Sequence, residues 1–216
     1  MSTFDRILQI RNEYAHCTAC GLNKYRRQSI RSAGNTTDPK VVFVLDRFDP
    51  ADVTRGVILQ GDQHAVLDTL LSFLKRDIQE YDYTPVVACP TAYIHTIQDM
   101  VPLAKAPDVG ACGKRVQAEI ACLQPYVVVA CGQSAVKSVL PKQTPQVEMS
   151  AGSTYQMVVQ GVHVPYLVPV VITNSLHTLG KLPEQEQPAL WHATCEHIWS
   201  AIRVAEQLHT LESYGR

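Results

Sequence analysis

The side chains best suited to chemistry are the cysteines, seven of them in 216 residues. Cys17 and Cys20 form a C-x-x-C pair, a spacing used by zinc sites, iron–sulfur centres and redox dithiols alike. Two further thiols sharpen the pattern. Cys89 follows a valine-rich run read as a strand, and Cys112 is expected to open a helix, so both can converge on the first pair from separate elements. Four thiolates are what a tetrahedral zinc or a cubane iron–sulfur cluster takes. A redox dithiol is the weaker reading, because such a pair sits at a helix start after a strand, whereas Cys17 precedes the first strand of this chain. The plainest alternative leaves Cys89 and Cys112 as buried packing thiols. Cys122, Cys131 and Cys195 lie in apolar or helical patterns and read as packing residues.

Thiols from four places in the chain need a scaffold to bring them together. The runs 41–45, 85–88, 126–130, 155–159 and 169–173 are short, valine-rich and bounded by Pro, Gly or charge, which predicts buried strands. Between them, 64–75 places Val66, Leu67, Leu70, Leu71 and Leu74 on one helical face, and 113–123 and 133–140 are shorter helical candidates. The longest helical pattern, 188–211, carries an apolar stripe of Leu190, Cys195, Ile198, Ile202, Ala205 and Leu208. Alternating strands and helices predict an α/β fold with a mainly parallel sheet covered on both faces and ligands at the carboxyl ends of the strands. The stretches 91–111 and 141–152 read as long irregular surface or binding segments.

With 46% apolar residues the chain can build a sizeable core, and one domain over 1–216 is the expectation. The net charge of −1 excludes a globally basic coat, so any nucleic-acid contact must come from a local patch such as Lys24, Arg26, Arg27 and Arg31. No run approaches the roughly 20 apolar residues that span a bilayer, and the first residues lack the apolar core of a signal peptide. Free thiols fit a reducing compartment. The expectation is a cytoplasmic protein, in the host cytoplasm if the source is viral, with no membrane partner.

The order of segments around the cysteines resembles the uracil-DNA glycosylase superfamily, in its family-four iron–sulfur branch. C-T-A-C-G-L at 17–22 resembles the opening C-x-x-C-x-L. T-R-G-V-I-L-Q-G-D-Q-H-A-V-L-D-T-L-L at 54–71 follows G-x-P-F-x-G-x-x-G-x-x-L-x-x-L-L, with Gly56 and Gly61 kept. Y-T-P-V-V-A-C-P resembles the strand ending in the third cluster cysteine, A-C-G-K-R-V-Q-A-E-I the helix bearing the fourth, and L-Q-P-Y-V-V-V-A-C-G-Q-S-A the next strand and glycine turn. The resemblance covers nearly the whole chain, from Cys17 to Leu208. The interval between Cys89 and Cys112 is longer than the family's. What the resemblance implies is a three-layer αβα sandwich in which Cys17, Cys20, Cys89 and Cys112 hold a structural 4Fe-4S cluster beside a DNA-binding surface.

Glycosylases flip a nucleotide from the stack and read it in a pocket; hydrolysis then needs a group that activates water or stabilises the sugar cation and a donor to the leaving base. The family supplies these from a G-E-x-P-G loop, a Phe under the base, an Asn after the second strand and a late H-P-S loop. Here L-D-R-F-D at 45–49 aligns with the first loop, so Asp46 stands for the glutamate while Leu45, Phe48 and Asp49 replace Gly, Pro and Gly, with Arg47 between. Leu59 occupies the stacking position, and Pro85 the Asn position, where it offers no amide to a base. N-S-L-H-T-L at 174–179 places His177 on the family histidine, with Thr178 for its proline.

The resemblance thus implies catalytic roles for Asp46 and His177 in a base pocket of Leu45, Arg47, Phe48, Leu59 and Pro85. The structural alternatives are a turn or helix-capping carboxylate for Asp46 and a loop histidine for His177. Two functions follow as expectations. One is a glycosidase acting on a pyrimidine, modified or not, in single- or double-stranded DNA; the other is an inactive module of the same fold that binds DNA or a replication or repair protein. A zinc-stabilised α/β protein would keep the cysteines alone, and a dinucleotide-binding enzyme would need a glycine-rich turn after the first strand, which L-D-R-F-D-P lacks.

Overall fold

The computed structural model describes residues 3–20, 30–85, 106–160, 164–181 and 187–214. Six strands form one sheet: β1 (Ala33–Gly34), β2 (Val41–Leu45), β3 (Asp82–Pro85), β4 (Val127–Cys131), β5 (Thr154–Gln160) and β6 (Pro165–Thr173), in the spatial order β1-β3-β2-β4-β6-β5. The four central strands run parallel and the short β1 and the long β5 close the edges antiparallel. Parallel pairing explains the valine runs: β2 and β4 are buried along their whole length because helices cover both faces.

Period-two alternation sorts the strand side chains between two cores. Val41, Phe43 and Leu45 of β2 and Val127, Val129 and Cys131 of β4 face a core shared with α3 (Asp62–Phe73), α7 (Leu176–Lys181) and α8 (Pro188–Tyr214). Val44, Val128, Ala130, Val170 and Ile172 face a second core with α4 (Ala106–Leu123), α5 (Gln133–Val139) and Val147 of α6 (Val147–Ser150). Val42 instead meets Ile7 of α1 (Thr3–Ala15) and Leu123 of α4. A further short helix, α2 (Pro50–Arg55), follows β2. Among the described residues no helix is long and apolar enough to cross a membrane.

Several expectations need correction. α4 starts at Ala106, so 106–111 is helical rather than irregular, and Cys112 lies inside the helix instead of opening it. Pro107, Gly110 and Gly113 hide this start: a proline is accommodated in a first helical turn, but glycines interrupt an apolar pattern. The strand expected at 85–88 is described only as β3, four residues that begin earlier, at the buried Asp82; Val86, Val87 and Ala88 lie outside the described residues. β1, α1, α2, α6 and α7 had no expected counterpart, and His177, read as a loop residue, lies in α7.

Candidate active site at the carboxyl edge of the sheet

Register places the site. Leu45 lies beside both Pro85 and Cys131, and Cys131 beside Thr173, so the parallel strands β3, β2, β4 and β6 all end at one level. The chain therefore delivers Asp46 after β2, Gly132 after β4 and Ser175 after β6 to a common edge. Ser175 Oγ donates to Asp46 Oδ1 at 2.8 Å. Gly132, at φ 89 and ψ 167, adopts a conformation open only to glycine. A Cβ there would stand 2.2 Å from Asp46 Oδ2, so the carboxylate occupies the space that the missing side chain leaves.

Burial pushes the Asp46 carboxyl up to about 6, against the hydrogen bond from Ser175 and the charge of Arg47, which pull it down. Burial, and then the charge of Asp46, raise the thiol of Cys131 beneath it. A carboxyl poised near neutrality is suited to exchanging a proton with water.

The loop after Asp46 is locked by two more carboxylates. Asp49 is the N-cap of α2, so the capping role considered for Asp46 belongs to its neighbour. The Asp49 amide donates to Asp52 Oδ2 at 2.8 Å, and Asp52 Oδ1 accepts the Gln60 amide at 2.5 Å. Burial raises Asp52 to about 6 in spite of these bonds. Asp49 Oδ2 accepts the Gln63 amide at 2.8 Å, and its Oδ1 stands 3.4 Å from His177 Nδ1 in the first turn of α7. The Gln63 side chain donates to the Arg47 carbonyl at 3.3 Å.

Asp46 and His177 are thus brought to one edge, each joined to a residue from the other's strand end: Ser175 meets Asp46, and Asp49 meets His177. Arg47 is exposed and Phe48 partly buried at the same loop. Leu45 and Leu59, expected in the base pocket, are 0% and 3% exposed and belong to the core with Phe48 packed against it. Leu59 holds a left-handed φ of 63, an unusual conformation for a branched side chain. Pro85 ends β3 in the same row.

Sequence reading missed Asp49, Asp52, Gln63 and Ser175 as parts of this site. The D-P-x-D spelling of 49–52 carried a usable signal, since an acidic N-cap, a proline at the first position and an acidic third residue mark a helix start.

Cys17, Cys20 and Cys112 lie on the α4 side of the sheet. α1 packs on α4 and ends just before Cys17, whose Sγ accepts the Ala19 amide at 3.4 Å. Burial raises the Tyr14 phenol, and Cys17 and Cys112 push it further while Arg115 opposes them, so the two cysteines share this neighbourhood. Cys20 packs against the core that contains Cys112. No disulfide joins the described cysteines. Cys89, Lys24, Arg26 and Arg27 lie outside the described residues, and among the described ones no three His, Cys, Asp or Glu side chains form a metal-holding group.

Beneath this corner Glu119 Oε2 accepts the Ser32 hydroxyl at 2.5 Å, and its Oε1 meets Arg115 at 2.5 Å. Arg115 also reaches Thr84 at 3.0 Å, and Arg11 reaches Asp82 at 3.3 Å. Burial pushes the Asp82 carboxyl well up, against the pull of Arg11.

No protein-family model matches the chain, and no curated protein matches it.

Proposed function

We propose that the chain is an iron–sulfur DNA glycosylase-like enzyme with a three-layer αβα fold that hydrolyses the N-glycosidic bond of a flipped pyrimidine in DNA. The observation that carries this reading is the placement of Asp46 and His177 at one sheet edge, Asp46 bonded by Ser175 and His177 facing Asp49. Asp46, at about 6, takes a proton from the attacking water or faces the developing sugar cation. His177 addresses the departing base. Cys17, Cys20, Cys89 and Cys112 would hold a 4Fe-4S cluster. The chemistry of the set suits it, four thiolates being what a cubane takes, and Cys17 and Cys112 share the surroundings of Tyr14. Such a cluster would tie the N-terminal segment to α4.

The test is single-turnover cleavage of single- and double-stranded oligonucleotides carrying uracil or a panel of modified pyrimidines. Wild-type protein should release one base of the panel, with Asp46→Ala and His177→Ala each slower by about 10²-fold or more. Intact substrate across the panel would sink the reading.

A second reading, a non-catalytic module that binds DNA or a replication or repair protein, is favoured by one observation. Leu45 and Leu59 are closed into the core, so neither presents an apolar face to a base. Salt-dependent DNA binding without base release would select it.

A further inference from the structure

The proposed reaction uses one nitrogen of His177, and which one is decided by the residue that holds the other. Asp49 stands where the glycosylase loop carries glycine, and a carboxylate here would be idle if it merely capped α2. Its surroundings fix it firmly. It is 2% exposed; its backbone amide is bound by Asp52, its Oδ2 by the Gln63 amide, and its Cβ lies against the Gly61 backbone, where a Cβ would come within 2.5 Å. Its Oδ1 faces His177 Nδ1, 3.4 Å away. The histidine side chain is 15% exposed, so its imidazole is partly open at the same edge as Asp46.

We propose that Asp49 is a positioning residue that accepts the Nδ1 proton of His177 and thereby presents Nε2 to the base. This rests on the glycosidase reading for its functional meaning, though the geometry stands without it. A carboxylate accepts and never donates when ionised, so the neutral ring is held as the Nδ1–H tautomer. Nε2 then carries a proton only in the imidazolium, the form able to donate to a leaving pyrimidine. Orientation of a catalytic imidazole by a buried carboxylate is an established physical device, the carboxylate fixing the tautomer without itself taking the proton.

The experiment is nitrogen-15 NMR of the full chain labelled at histidine, recorded at alkaline pH where the rings are neutral, with His177→Gln to assign the signal. In wild-type protein His177 should show a protonated Nδ1 and an unprotonated Nε2. In Asp49→Asn the amide carbonyl can keep the Gln63 contact while its NH₂ turns to Nδ1, and the tautomer should switch to Nε2–H. A wild-type ring with Nε2–H, or a tautomer unchanged in Asp49→Asn, would overturn the proposal and needs no activity to be seen. The expected tautomers in a protein that releases no base would instead uphold Asp49 as the orienting group and remove the glycosidase reading.

Discussion

Ser175 donates its hydroxyl to Asp46 Oδ1 at 2.8 Å, joining the ends of β2 and β6 across the intervening β4. The bond favours the ionised carboxylate and works against the burial that raises Asp46 to about 6. If Asp46 acts as a base, base release should decline as pH falls through about 6. Ser175→Ala removes one stabilising bond of about 1 kcal/mol, so the midpoint of this acid limb should move upward by up to about one pH unit. A pH–rate profile of both proteins under single turnover checks it, and an unmoved midpoint would separate Ser175 from the chemistry.

The same raised carboxyl makes a stability prediction. Its folded value, about 6, exceeds its ordinary 3.8, so folding favours the protonated form. Stability from this group is present below about pH 4 and is lost as pH rises through about 6. Asp46→Asn stays neutral and still accepts from Ser175. It should therefore outlast wild type at pH 7.5 by on the order of 2 kcal/mol, with the gap closing near pH 4. Chemical denaturation at the two pH values measures this. An equal gap at both would mean that the gain comes from packing rather than charge.

Gly132 gives a test of how tightly the carboxylate is seated. Alanine there meets both a backbone conformation reserved for glycine and a clash at 2.2 Å with Asp46 Oδ2. Gly132→Ala should cost about 3 kcal/mol in urea denaturation and slow base release, because Asp46 must move to admit the methyl. A variant as stable as wild type would show that the turn relaxes freely.

Much of the scaffold was legible in the chain because parallel strands and amphipathic helices write their burial into the residue types. β2, β4 and the apolar face of α3 are where the valine and leucine patterns put them. The extent of β3 was hidden because Asp82 and Thr84 are polar residues in a buried strand. They are tolerated through Arg11 and Arg115, partners distant in the sequence. At the site, aligned fragments could mark Asp46 and His177 but not that Asp49 would turn its carboxylate to His177. That contact depends on α7 and the loop after β2 meeting in space. Nor could apolar character tell that Leu45 and Leu59 face the core rather than a ligand.

The buried ion network should make Glu119 one of the most sensitive positions in the protein. Its carboxylate is shared by Arg115 and Ser32, with Arg11 3.9 Å away, and it links α4 to α1 and β1's approach segment. Glu119→Ala takes the shared acceptor from all three and should destabilise by about 3–5 kcal/mol. Denaturant unfolding followed by circular dichroism measures the loss. A cost below about 1 kcal/mol would mean that water reaches the arginines in place of the carboxylate.

The cysteine corner makes the last prediction, one that does not depend on turnover. Anaerobically purified protein should be brown and contain about four iron and four sulfide per chain, the content of one cubane cluster. Cys17→Ser, Cys20→Ser, Cys89→Ser and Cys112→Ser should each lose iron and the visible absorption. Cys122→Ser and Cys195→Ser should keep both, because those thiols are half-buried packing groups in helices, Cys122 near the Thr3 carbonyl and Cys195 near that of Leu70. Stoichiometric zinc without sulfide would keep the four thiols as ligands and replace the cluster by a tetrahedral ion. Metal-free protein that folds normally would leave Cys89 and Cys112 as packing thiols and remove the main support for kinship with the glycosylases.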